Sequence, residues 1–194
     1  ASTTPSTWSN VVGQTTGNSI TLTNGVFTMN TMTVRTAALN ITVSATPSAQ
    51  SIVAGSQGVT FANIQFDASQ SGEDVRFSSI PLSLSASVSA TYVNTCQLFD
   101  GSTALNTGGN VVNPSATGDN TFTLDQSLTI PKGTVKTIAV KCNVTSNASG
   151  TLAWGTNLSG GTSNAPTVTG VTSSNNVAET VSNSAGSTMT IGSG

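Results

Sequence analysis

Apolar residues recur at every second position through most of this chain. Leu39, Ile41, Val43 and Ala45 alternate with polar neighbours ahead of Pro47, and Ile138, Val140, Cys142 and Val144 do the same with Lys141 on the opposite phase. A period of two puts one set of side chains on each face of a β-strand. Tyr92, Asn94, Cys96 and Leu98 share a phase up to the turn Asp100-Gly101-Ser102. Leu128 and Ile130 run into Pro131-Lys132-Gly133, while Phe122/Leu124 and Leu152/Trp154 mark two further short strands. Two runs change phase midway. Val59 and Phe61 take one phase and Ile64, Phe66 and Ala68 the other, which predicts a bulge or kink near Asn63. Val75/Phe77 and Leu82/Leu84 break around Pro81, which predicts an edge or sheet-switching strand. Strong helix formers never gather at helical spacing. About eight short strands separated by turns predict an all-β fold, a β-sandwich with Ig-like Greek-key or jelly-roll connections.

The two ends differ from this middle. Residues 1–37 are rich in Ser and Thr but contain Ile20-Thr-Leu22, Gly25 and a strand-like run from Val26 to Val34. Residues 159–176 are rich in Gly, Ser and Asn, and apolar character returns at Val177, Val181, Met189 and Ile191. The expected organisation is therefore an N-terminal arm over 1–37, a candidate donor strand, and a sandwich core over 38–158. A linker with a C-terminal strand follows over 159–194. Strand-forming arms flank the core on both sides.

Composition narrows what such a fold can do. Seven acids and five bases are the only charged side chains in 194 residues, histidine is absent, and roughly a third of the residues are Ser or Thr. Acid–base chemistry, nucleophile activation and transition-metal binding draw on histidine, thiolate or clustered charge, so an enzyme is not expected. A net charge of −2 with no basic patch argues against nucleic acid. No apolar run approaches the ~20 residues of a membrane-spanning helix. A content of 36% hydrophobic residues and a mean hydropathy of +0.07 argue against a disordered linker. A start at Ala1 is what cleavage after a small-residue site leaves, which fits a secreted, extracellular or cell-surface protein.

Few residues offer themselves as sites. Cys96 and Cys142 both fall on the inward phase of their strands, so one disulfide is available, with a buried reduced pair as the other reading. A bridge there closes a loop of about 46 residues, worth roughly 4 kcal/mol in the chain-entropy model. Asp67, Glu73 and Asp74 fall close together around Gly72, a set that with backbone carbonyls suits Ca²⁺; the spacing matches no EF-hand, and ordinary turn chemistry accounts for the same residues. Asn40, Asn143, Asn147 and Asn157 stand in N-x-S/T triplets. Chance alone predicts about six such triplets for this composition, so they carry no enrichment, and covalent glycans are as well placed on Ser or Thr. Trp154 shares its phase with Leu152 and belongs to the core, whereas Trp8 lies in a polar arm and reads as an anchor. Ile20, Leu22, Phe27, Met29, Met32 and Val34 give that arm a set of apolar groups suited to assembly.

The segments LNITVSATPSAQSIVAGSQGVTFANIQF, GEDVRFSSIPLSL, CQLFDGSTAL and LTIPKGTVKTIAVKCNV resemble a β-sandwich module found, often in tandem, in surface proteins of ultra-small bacteria. The resemblance runs from Leu39 to about Trp154, about 60% of the chain. It implies an Ig-like or related sandwich at the cell surface, without catalysis, in which a last strand such as GSTMTIGSG runs on towards a following module. The layout is also similar to subunits of donor-strand fibres, where an arm completes a neighbour's sheet. The expected function is a self-associating structural subunit of an extracellular filament. A carbohydrate-binding or adhesive module, and a module of a surface-layer or tandem-repeat protein, are the alternatives.

Overall fold

The computed structural model describes residues 2–3, 11–21, 27–28, 30–156 and 165–192, with residues 2–3 and 27–28 as backbone. The chain divides into two compact units, Ala1–Val34 and Arg35–Gly194. In the first, β1 (Ser2–Thr3) pairs antiparallel with β2 (Phe27–Thr28), and Val12 bridges Ser19 across a tight turn.

The second unit is a two-sheet sandwich. Its strands are β3 (Leu39–Val43), β4 (Ser51–Val53), β5 (Val59–Asp67), β6 (Val75–Ala86), β7 (Val93–Asp100) and β8 (Thr103–Ala104), then β9 (Gly118–Ile130), β10 (Val135–Val144) and β11 (Gly150–Thr156). Four short strands follow: β12 (Thr169–Gly170), β13 (Glu179–Val181), β14 (Ser184–Ala185) and β15 (Met189–Gly192). One sheet runs β13-β3-β5-β10-β7-β8. The other runs β12-β6-β11-β15-β4, with β9 along the outer side of β6 and β14 on β11. The antiparallel pairs β7–β8, β6–β9 and β5–β10 are nested one inside the next, as when a long hairpin is rolled over two sheets.

Alternation explains the core. Leu39 and Ile41, Phe61, Ile64 and Phe66, Ile80, Leu82 and Leu84, and Ile138 and Val140 are all buried between the sheets. Trp154 is buried too and meets Phe122 edge-on, with ring centroids 5.4 Å apart. Cys96 of β7 and Cys142 of β10 are buried and joined in a disulfide between adjacent strands of one sheet.

Both predicted phase changes are present. The pairing of β10 with β5 slips between Val140 and Lys141, opposite the stretch from Ala62 to Thr60, so the bulge centres on Phe61, two residues before Asn63. The break in β6 lies between Phe77 and Ser79, where β9 loops out four residues (124–127) before pairing resumes at Leu128. Pro81, however, is in neither an edge nor a sheet-switching strand. It lies inside β6, opposite Thr121 of β9. On the other side of β6, β12 reaches only Val75–Arg76 and β11 only Ser83–Ala86, so among the described residues the proline falls between two partners and breaks no ladder.

The C-terminal segment is built into the sandwich. Strand β13 lies parallel on β3, and β15 sits between β11 and β4, parallel to the latter, with Met189 and Ile191 buried. Val168 and Val177 add to the same core. The alternation of Met189 and Ile191 with exposed Thr190 and Gly192 marks β15 as a strand in the sequence, whereas its parallel partner β4, far back in the chain, leaves no local mark.

Candidate functional site

Strand directions define one end of the sandwich. β5 ends there at Asp67, β6 starts at Val75, β9 ends at Ile130 and β10 starts at Val135. The first residues of the second unit cross this end, and the loop over residues 68–74 holds them. Gly72 N–H donates to Thr36 O at 2.9 Å, Ala38 N–H donates to Ser71 Oγ at 3.2 Å, and Arg35 Nη1 donates to Gln70 Oε1 at 3.3 Å. A Cβ on Gly72 would stand 2.1 Å from Arg35 O, so only glycine permits this crossing. Ser71 is itself held, its hydroxyl donating to Glu73 O at 2.5 Å.

The three carboxylates singled out from sequence all lie at this end but serve different loops. Asp67 accepts from Ser69 N–H at 2.8 Å and closes its own turn. Glu73 accepts from Thr172 N–H at 2.7 Å, Ser173 N–H at 2.9 Å and Ser173 Oγ at 2.6 Å, pinning the turn after β12. A Cβ on Gly170 would meet Glu73 Oε1 at 2.4 Å, so a glycine again makes room. Asp74 accepts from Lys132 N–H at 2.9 Å and holds the turn between β9 and β10. Ser69 holds the Asp67 carboxyl below its ordinary pKa, by its hydroxyl first and its N–H second. The Ser173 hydroxyl, then the Ser173 and Thr172 N–H groups, do the same for Glu73. Among the described residues no three acids, cysteines or histidines gather around one point.

Between these loops lies an open cleft of about 440 Å³ lined by Arg35, Gly72, Glu73, Asp74, Lys132 and Ser173, among others. Its lining carries two carboxylates that accept hydrogen bonds from the turns, Glu73 and Asp74, and two cations, Arg35 and Lys132, besides hydroxyls. Immediately upstream of Arg35, residues 30–34 have no secondary structure and are exposed. Met32 is 90% and Val34 95% exposed.

The other expected site residues fall as follows. Ile20 is half exposed, its N–H donating to Val11 O at 2.8 Å. Phe27 is placed by its backbone in β2, and its side chain, like Trp8, Leu22, Met29 and Asn157, lies outside the described residues. Asn40 and Asn147 are exposed, whereas Asn143 is half-buried and accepts from Gly58 N–H at 2.8 Å. Phe99 stands on the outer face of its sheet, where Lys141 Nζ sits 4.5 Å from its ring centroid.

The edges of the sandwich form a second set of candidate surfaces. Beyond β7 the edge is closed by β8, by backbone bonds from Leu105 and Val112, and by one buried side chain. Asn106 is 0% exposed, and its Oδ1 accepts from Leu98 N–H at 2.7 Å. Its Nδ2 donates to Cys96 O at 3.4 Å and Asn110 O at 2.8 Å. Val112 bridges Cys96 alongside it. In sequence, Asn106 reads as one more turn asparagine ahead of Gly108-Gly109; the signal for its role would have been its position opposite the β7 run. Asp125 anchors the same loop, accepting from Thr107 Oγ1 at 2.6 Å, Asn110 Nδ2 at 2.8 Å and Thr107 N–H at 3.0 Å. The Thr107 hydroxyl, then Asn110, then the Thr107 N–H lower the Asp125 pKa.

A scan against protein-family models finds no match, and a search of curated proteins finds none. Among solved structures, the chain is similar to the seventh ScaB type I cohesin from Pseudobacteroides cellulosolvens, with a TM-score of 0.34 and 11% identity. The match covers 80% of this chain and 93% of the cohesin. A likeness at that level leaves the function to be argued from this chain's own residues.

Proposed function

We propose that this protein is a structural subunit of an extracellular filament, built head-to-tail by strand addition between copies. The observation that carries the reading is the segment 30–34. Among the described residues it pairs with no strand, its Met32 and Val34 share one phase and stand in water, and in sequence it directly precedes a crossing held by Gly72, Ser71 and Gln70. Two large apolar side chains exposed on alternate positions are what a donated strand presents to a groove. Burying them contributes about 1.5–3 kcal/mol each before ordering costs.

The rest of the molecule is consistent with such a part. Natural sheet edges are blunted by charge, proline or bulges, and a chain with so few charges has little else than pairing to protect them. The Cys96–Cys142 disulfide suits an oxidising compartment. The acids around the cleft are engaged in holding turns, which favours a scaffolding role over catalysis. The outer-face aromatic Phe99 already carries Lys141 over its ring, which disfavours a sugar-stacking platform there.

Electron microscopy of the purified full-length chain tests the reading. Filaments are expected from the native protein and short oligomers or monomers from the double variant Met32→Lys/Val34→Lys. Monodisperse globules from the native protein at high concentration would defeat it.

A further inference from the structure

Strand addition needs an acceptor, and the sandwich narrows the choice. Among the described residues, the outer strands β8 and β12 have two residues each and β4 and β13 three each. The neighbouring stretch of β7 is closed by Asn106 and Val112. Strand β9 is different: Gly118–Thr123 pairs with Ser79–Leu84 on one side, and among the described residues makes no backbone bond on the other. Six residues of open edge match the five of Asn30–Val34. Phe122 and Leu124 are buried on the inner phase of β9, and Thr121 and Thr123 are exposed on the outer. An added strand in this phase would lay Met32 or Val34 beside Phe122, and Thr33 beside Thr121 or Thr123.

The placement also bears on which copy is involved. Arg35 lies at the end of the β6–β9 ribbon where Val75 faces Ile130. Thr121 is opposite Pro81, six residues further along β6, a distance of about 20 Å. Val34 is one residue from Arg35 and has no such reach. A chain therefore cannot pair its own Thr33 and Val34 with its own Thr121.

We infer that Asn30–Val34 of one copy adds as a strand to Gly118–Thr123 of β9 in a second copy. This rests on the strand-addition reading above and names its acceptor. Donor and acceptor are different segments of the subunit, so the contact is heterologous and propagates unless it closes into a ring.

Residues facing each other across paired strands lie within disulfide range. The test uses full-length protein carrying Thr33→Cys with Thr121→Cys or Thr123→Cys; the native cysteines are already joined and buried. Parallel variants pair Thr33→Cys with Ser51→Cys on β4 or Thr180→Cys on β13. After mild oxidation, a β9 pair is expected to give a ladder of covalent oligomers on non-reducing gels, where Thr33→Cys alone gives at most a dimer. A ladder with Ser51→Cys or Thr180→Cys instead overturns β9 as acceptor and leaves strand addition standing. Filaments without a ladder from any pair overturn Asn30–Val34 as donor. Neither filaments nor ladders from folded protein overturn the polymer reading itself.

Discussion

One side chain does the work of a missing strand at the edge of β7. Asn106 presents an acceptor to Leu98 N–H, the pairing a neighbouring backbone would have supplied, and donors to Asn110 O and to Cys96 O, which also accepts from Val112 N–H. Burial makes that substitution costly to undo, because each buried polar group left without a partner costs about 1–3 kcal/mol. Asn106→Ala is therefore expected to lower the denaturation midpoint well beyond what an exposed asparagine would. Asn106→Asp keeps the acceptor but loses both donors and adds charge, and should be no better tolerated. Urea unfolding of the two variants beside Asn110→Ala, which keeps the Asn110 carbonyl, measures the difference. A near-neutral Asn106→Ala would mean that the edge is held by Val112 alone.

At the scale of elements, loops are tied to each other by carboxylates. Glu73, at the entry to β6, holds the turn after β12, and Asp125, in β9, holds the loop after β8. Both have pKa values lowered by the hydroxyls and N–H groups they accept from. Their folded-state pKa lies below the unfolded one, so the stabilisation is complete above the ordinary carboxylate range, near pH 4, and is lost as pH falls through the lowered value. Thermal unfolding followed from neutrality down to strongly acid pH should show Tm falling from about pH 4. Glu73→Gln together with Asp125→Asn should flatten that slope, and an unchanged slope would place the acid sensitivity elsewhere. None of these ties was legible in the sequence, where Glu73 and Ser173 lie 100 residues apart. The strands themselves were legible wherever one face is buried, as in β3 and β10, because alternation records which side meets the core. The Phe61 bulge showed as a change of phase. What alternation could not carry is pairing: Pro81 looked like an edge because nothing local says that its strand lies between two partial neighbours.

For the whole molecule, the division at Val34 and the insertion of β15 lead to opposite outcomes for the two ends. Every buried apolar residue among those described lies between Leu39 and Ile191. Removing residues 1–34 should leave a cooperatively folded monomer with nearly unchanged Tm, and no filaments. Removing residues 187–194 withdraws Met189 and Ile191 from the core and strips both β11 and β4 of a partner. Each of those side chains is worth about 1.5–3 kcal/mol, so this truncation should be much less stable or unfolded. Circular dichroism melts and size-exclusion chromatography separate the two. A C-terminal truncation that melts like the full chain would show that the sandwich closes without its last strand.

The crossing of Arg35 over Gly72 has a mechanical consequence. A few residues on, the chain becomes β3, with antiparallel β5 on one side and parallel β13 on the other. Tension drawn through Arg35 along the strand direction slides β3 lengthwise against two neighbours at once. Their hydrogen bonds lie across the pull and share it, instead of parting one after another as in a peeled hairpin. A subunit tethered at this corner resists stretching by shear, and its weakest response is reserved for forces applied sideways.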